Sequence, residues 1–308
     1  FGVFTIRIPA DGWKPKGYIA PSGKAQTSGT QNVSAAAAVK TPQFWLLFCT
    51  LCLNITAGIG VLGQASVMIQ ELFSETSVGA DAAVSAAAAA GFVGLLSLFN
   101  MGGRFFWSSI SDKLGRKNVY TVFFVLGAIL YCLIPSLGES GSKALFIIGF
   151  CVIISMYGGG FAAIPAYLRD LFGTYQVGAI HGRILLAWSL AAVLGPVLVN
   201  YIRQGQIDAG VPAAQAYSIT MYIMAGLLVL GLLANALVKQ VHAKHHLHTI
   251  PEAAHSGNPA DETALSDAYL AAEEISHGGF AVWWRWLLVG IPLGYGVVMV
   301  FAKVVDLF

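Results

Sequence analysis

Apolar residues run through this chain in long blocks separated by short polar stretches. A membrane-crossing helix needs roughly 20 mostly apolar residues. Blocks of at least that order cover about 42–73, 80–109, 119–137, 144–168, 177–202 and 217–238. Pro42 suits the first turn of a helix, where its missing N–H costs nothing. A polar stretch follows over about 239–279, and a seventh apolar block runs over about 280–305. Ahead of the first block, residues 6–41 are polar and rich in Gly, Pro, Ser and Lys, a composition that breaks helices and reads as loop or linker. The pattern predicts a loop over 1–41, a six-helix unit over 42–240, a polar linker over 241–279 and an additional transmembrane helix over 280–308.

Composition agrees with this reading. Of the 308 residues, 56% are apolar and only 10% charged, where a soluble domain carries about 25% charged residues. The fold class predicted is an all-α polytopic membrane protein. A net charge of +2, spread along the loops, is too small to suggest nucleic acid as a partner. Cys49, Cys52, Cys132 and Cys151 all fall within apolar blocks, which argues for packing and against a disulfide framework or a metal site. Phe1-Gly2-Val3-Phe4-Thr5 reads as the tail of a helix, so the chain is expected to be a fragment with membranous sequence ahead of it. Lys/Arg bias sets the orientation. With 6–41 on the cytoplasmic side, the inner loops hold Arg7, Lys14, Lys16, Lys24, Lys40, Lys113, Arg116, Lys117, Arg169, Lys239, Lys244 and Arg285. The outer ends then hold only Lys143, Arg203 and Lys303.

The stretch from Gly102 to Lys117 carries two devices. One is Arg104, eight residues before Asp112 and so about 12 Å deeper along a helix. A cation at that depth costs several kcal/mol unless it meets a polar cavity or a counter-charge. Snorkelling to the surface is the plain alternative. The other is Asp112-Lys113-Leu114-Gly115-Arg116-Lys117, a compact charged turn between two spans, in which a carboxylate can pair with an arginine or with the next helix's N-terminus. Small residues fill the spans: Gly58, Gly60 and Gly63, the Ala-rich run 82–94, and Gly158-Gly159-Gly160. They permit close helix packing, and with Pro165 and Pro196 they also permit bending.

The charged turn resembles the loop signature of the major facilitator superfamily, roughly Gly-x-x-x-Asp-x-x-Gly-Arg-Lys, with Ser108 standing where the leading glycine belongs. Further stretches look like the oxalate–formate antiporter family, to which bacterial monocarboxylate carriers are related. These are Arg7-Ile8-Pro9-Ala10-Asp11-Gly12-Trp13-Lys14-Pro15, Thr41-Pro42-Gln43-Phe44-Trp45, Asn54-Ile55-Thr56-Ala57-Gly58-Ile59-Gly60, Tyr157-Gly158-Gly159-Gly160-Phe161-Ala162 and Gly178-Ala179-Ile180-His181-Gly182-Arg183-Ile184-Leu185. The resemblance covers about residues 1–240. It implies a central cytoplasmic loop followed by the C-terminal six-helix half of a transporter. The N-terminal six-helix half would be its partner, and the bilayer, a bacterial cytoplasmic membrane, its setting. Trp283-Trp284-Arg285-Trp286 and the apolar residues after it look like an extra span of some members.

The resemblance also assigns roles. Arg104 matches an anion-binding arginine, and its planar fork suits a carboxylate. Tyr157 and Phe161, four residues apart, resemble cavity-lining aromatics; lipid-facing or packed rings are the alternative. Trp188 stands where the oxalate exchanger has a lysine, so one deep cation remains, which suits a monocarboxylate such as formate, lactate or pyruvate better than oxalate. Asn54, Gln64 and Asn100 either line the cavity or bond between helices. Asp112, Gly115, Arg116 and Lys117 would form a conformational latch. His181 is a candidate for proton coupling or for a gate. His242, His245, His246 and His248 read as a solvated basic tail, and 261–275 as a short surface helix. No cofactor is implied, no nucleotide loop is present in the sequence, and no span carries the paired acid and base of an enzyme. The expected function is secondary transport of small organic anions, by antiport or proton symport. A receptor retaining the carrier fold, or a carrier for another substrate, is the alternative.

Overall fold

The computed structural model describes residues 32–74 and 83–247, together with Leu287 and Ile291. The seventh span over 280–305, the surface helix over 261–275, His248 and the N-terminal stretch before Asn32 therefore lie outside the description, apart from those two helical positions. Among the described residues the fold is helical, in the order α1 (Ala35–Ala38), α2 (Pro42–Leu72), α3 (Ala86–Leu114), α4 (Arg116–Glu139), α5 (Lys143–Phe172), α6 (Val177–Ile184), α7 (Leu186–Asp208) and α8 (Ser218–Leu237). Taking α6 and α7 together, six segments are long and apolar enough to cross a membrane.

Local chemistry explains the boundaries. The Thr41 hydroxyl accepts from Phe44 N, and Pro42 follows it. Ser85 caps α3 in the same way, accepting from Ala88 N. Each cap satisfies a backbone donor that the helix itself leaves free. One residue, Gly115, joins α3 to α4 at φ 87°, a conformation that an L side chain resists. The span over 177–202 differs from expectation. It extends to Asp208 and breaks at Leu185, where Trp188 N bonds Leu185 O with the tighter three-residue spacing. The linker ahead of the first span differs too. Its last ten residues are docked, with Val33 N bonded to Phe172 O, Ala35 N to the Gln176 side chain, and Val33 bridged to His246.

Helices α2 and α5 form the interior: 61% of the most apolar stretch of each is buried, against 22% for α3 and 28% for the α6–α7 span. Glycines set the approach of the backbones. A Cβ on residue 60 would stand 2.9 Å from the Gly195 carbonyl oxygen, which brings α2 onto α7. Gly103 lies on the backbone of Ser155, Gly158 on Asn100 and Gly159 on the Trp107 ring, so α3 and α5 meet along a glycine seam. Without a hydrophobic drive between helices in lipid, such close contact supplies the association energy. Helix α5 runs unbroken through Gly158–Gly160 and Pro165.

Candidate functional site

Arg104 projects from α3 at a position where the sequence pattern puts membrane. Its guanidinium carbon lies 5.1 Å from the centre of the Phe161 ring on α5. Its Nε donates to Asn100 Oδ1, one turn earlier, at 3.4 Å. Phe161 packs edge-on against Trp188 of α7, with ring centres 4.7 Å apart, and Trp188 lies 5.7 Å from Tyr157. Four of the residues picked from the sequence, Arg104, Tyr157, Phe161 and Trp188, thus form one group contributed by three helices. Tyr157 is buried beneath, its ring filling the notch left by Gly58. Phe161 and Trp188 are half-buried and Arg104 is exposed.

Among the described residues no carboxylate pairs with Arg104. A cation–π contact at an exposed site is worth about 0.5–1 kcal/mol. Placing arginine at mid-membrane costs about 2.5–3.5 kcal/mol even on insertion scales. The stack offsets only part of that cost, so the group is suited to an anion that completes it. The fork of Arg104 stays open for such an anion, because Nε is the nitrogen that Asn100 takes.

Asn54 lies on the buried side of the group, where it and Tyr157 line one small hollow. It is buried between α2, α4 and α5, where its amide lies against Gly160 and its Nδ2 has no hydrogen-bond partner. Gln64 bonds Asn200 across α2 and α7 at 2.7 Å, which makes it an interhelical tie. His181 lies on α6 with its Nε2 buried and without a partner.

The charged turn sits at the helix ends. Arg116 NH2 reaches Asp112 Oδ1 at 2.5 Å, NH1 bonds Ser111 Oγ at 2.8 Å, and Nε stands 3.5 Å from Asp170 Oδ2 at the end of α5. Lys117 Nζ donates to the carbonyls of Ala236 and Val238, at 2.8 and 2.7 Å, and so closes the C-terminal end of α8. Asn235 returns a bond to Lys117 O and accepts from the Tyr167 hydroxyl. The turn therefore ties together α3, α4, α5 and α8. Sequence reading missed Asp170 and Asn235. The signals were there as a charged pair, Arg169-Asp170, ending one span and a lone amide in the last turns of another. At the opposite end, Arg203 of α7 pairs with Glu71 of α2 through both carboxylate oxygens and lies over the Tyr217 ring.

Six packed apolar helices define a multi-pass membrane protein. Comparison with known proteins gives the family: the Major Facilitator Superfamily model matches residues 4–196 and 46–306, and the chain belongs to that superfamily, a family of transporters and not of enzymes. It is 30% identical over 192 residues to the oxalate:formate antiporter of Oxalobacter formigenes, covering 62% of this chain and 41% of that protein. It is 24% identical over 180 residues to the uncharacterized MFS-type transporter YhjX of Escherichia coli K12, covering 56% and 41%. Monocarboxylate transporter 14 of Mus musculus matches at 25% over 142 residues, covering 45% and 25%. The matched stretch is thus about two fifths of the length of the first two relatives.

Proposed function

We propose that the protein carries small organic carboxylates across a bacterial cytoplasmic membrane by alternating access. The observation that carries this reading is the group around Arg104: an exposed guanidinium with an open fork, backed by Phe161 and walled by Trp188 and Tyr157. The carboxylate takes the fork bidentately, as the two planar groups match. Asn100 holds Nε, and the rings accept the rest of a short apolar substrate. Since Trp188 adds no second charge, the substrate is a monocarboxylate such as formate, lactate or pyruvate. Oxalate exchange is the competing outcome, because the oxalate:formate antiporter is the relative with 30% identity. The charged turn serves as the conformational latch. A second six-helix half closes the cavity over the exposed faces of α3 and α7 and completes the path by rocking against this one.

The test is flux. Vesicles containing the full-length protein should accumulate labelled monocarboxylate against an exchanged anion or a proton gradient, and Arg104→Ala should abolish uptake. Binding without flux would make the protein a receptor. Tighter binding of oxalate than of any monocarboxylate would overturn the single-charge assignment.

A further inference from the structure

Gly58, in the middle of α2, stands directly behind the Tyr157 ring. A Cβ on residue 58 would fall on that ring, 2.8 Å from Cγ and 2.9 Å from Cβ of Tyr157. These atoms are the root of the side chain, so turning the ring about its own axis does not clear them. A side chain at 58 therefore displaces Tyr157 as a whole, the usual response to an added methyl in a filled site. The neighbouring elements decide the direction. Helix α5 cannot yield toward α3, because Gly158 already lies on Asn100, Gly159 on the Trp107 side chain and Ser155 on Gly103. Toward α4 and α8 the ring borders the hollow that Phe123, Gly127, Tyr131 and Leu228 also line. That hollow measures about 10 Å³, room for about one water molecule and far too little for a phenol ring. Its wall is fixed as well, since buried Tyr131 donates to Ala57 O at 2.6 Å.

The side that remains is that of Trp188, whose ring centre lies 5.7 Å from that of Tyr157. Trp188 leans on Phe161, and Phe161 carries Arg104. A displaced Tyr157 thus moves into the group around Arg104. The other glycines of α2 serve other ends: Gly60 brings α2 onto α7, and a side chain at 63 meets open space. We propose that Gly58 is a positioning residue that sets, through Tyr157, which carboxylates fit beside Arg104. By letting the ring sit back against α2, it leaves space for a carbon chain beyond the carboxylate, as in lactate or pyruvate. A methyl at 58 drives the ring forward and leaves room for formate. The proposal rests on reading the group around Arg104 as the substrate site, and it names the size of substrate that this site takes.

The experiment measures half-saturation of the uptake of labelled formate, lactate and pyruvate by vesicles holding the full-length protein. Gly58→Ala should weaken lactate and pyruvate relative to formate by about tenfold, the lower end of what one methylene decides in an apolar pocket. Gly63→Ala should leave the ratio as in the parent, since its methyl meets open space. Tyr157→Ala should move the ratio the other way. Adding Gly58→Ala to Tyr157→Ala should then change it by no more than about twofold, because the ring that couples the two positions is gone. A ratio unmoved by Gly58→Ala would make Gly58 a packing glycine like Gly60 and overturn the proposal, whether or not the protein unfolds at a lower temperature. A shift that persists in the presence of Tyr157→Ala would overturn it too. If Gly58→Ala alone yields no folded protein, Tyr157→Ala decides, and the absence of a shift toward the larger acids in that variant sinks the proposal. A parent that takes up formate alone overturns the proposal and leaves the substrate site standing. A parent that takes up none of the three acids overturns both.

Discussion

The guanidinium of Arg104 is used in three directions at once: Nε toward Asn100, one face over Phe161, and the fork outward. Lysine keeps the charge but offers neither the planar face nor the fork. Arg104→Lys should therefore weaken carboxylate binding about tenfold, or ~1.4 kcal/mol, in a direct binding measurement on the full-length protein. Phe161→Leu removes only the stack and should cost about two- to fivefold, matching ~0.5–1 kcal/mol for an exposed cation–π contact. An Arg104→Lys protein that binds as tightly as the parent would show that charge alone suffices and that the fork is unused. Trp188 is the informative position for substrate charge. It touches Phe161 and Tyr157, so Trp188→Lys would set an ammonium across the aromatic group from Arg104. That variant should gain affinity for dicarboxylates relative to monocarboxylates in competition for the same site. A ratio that does not move would place the second carboxylate's binding elsewhere.

At the scale of elements, packing depends on which face a glycine occupies. Gly102 and Gly103 are neighbours in sequence, but a side chain at 102 meets open space while one at 103 runs into the Ser155 backbone. Gly103→Leu should destabilise the protein by about 1–3 kcal/mol, the usual cost of overpacking, seen as a lower thermal unfolding temperature in detergent. Gly102→Leu should leave that temperature nearly unchanged. Six spans were legible in the sequence because hydropathy over 20 residues is a strong signal, and Pro42 marked where the first begins. The aromatic group was legible from a resemblance: Tyr157 and Phe161 share a helix face, but nothing in their spacing says that Trp188 of another span meets them. The break at Leu185 left no mark, since apolar residues continue through it and only the hydrogen-bond spacing changes. The docking of residues 32–41 was equally hidden. It rests on contacts between polar groups far apart in sequence, such as Asn32 with the backbone of Thr174 and Tyr175. For Asn54 the sequence left open whether an amide in a span lines a cavity or bonds between helices, and only the fold buries it beside Tyr157.

For the six-helix unit as a whole, polar groups pin both ends. Glu71 and Arg203 tie α2 to α7 at one end, with Tyr217 before α8 beside them. The charged turn ties α3, α4, α5 and α8 at the other. On the proposed function, a unit pinned at both ends rocks as a body, and the charged turn then acts on that rocking and not on the shape of the substrate group. Arg116 is the centre of this tie, because it faces two carboxylates while Asp112 and Asp170 each face arginine. Its removal leaves Asp112 without its arginine and Asp170 with Arg169 alone, whereas Asp112→Asn leaves Arg116 its contact with Asp170. Arg116→Ala should thus slow exchange more than Asp112→Asn does. Loss of a hydrogen bond to a charged group is worth about 1.5–3 kcal/mol, which corresponds to a ten- to hundredfold slower rate for Arg116→Ala. Substrate affinity should stay within about twofold of the parent in both variants, since additivity is expected for sites well separated in space. Initial exchange rates and equilibrium binding, measured on the same preparations, separate the two roles. If affinity and rate fell in proportion, the turn would act by shaping the substrate group, and its reading as a latch would fail.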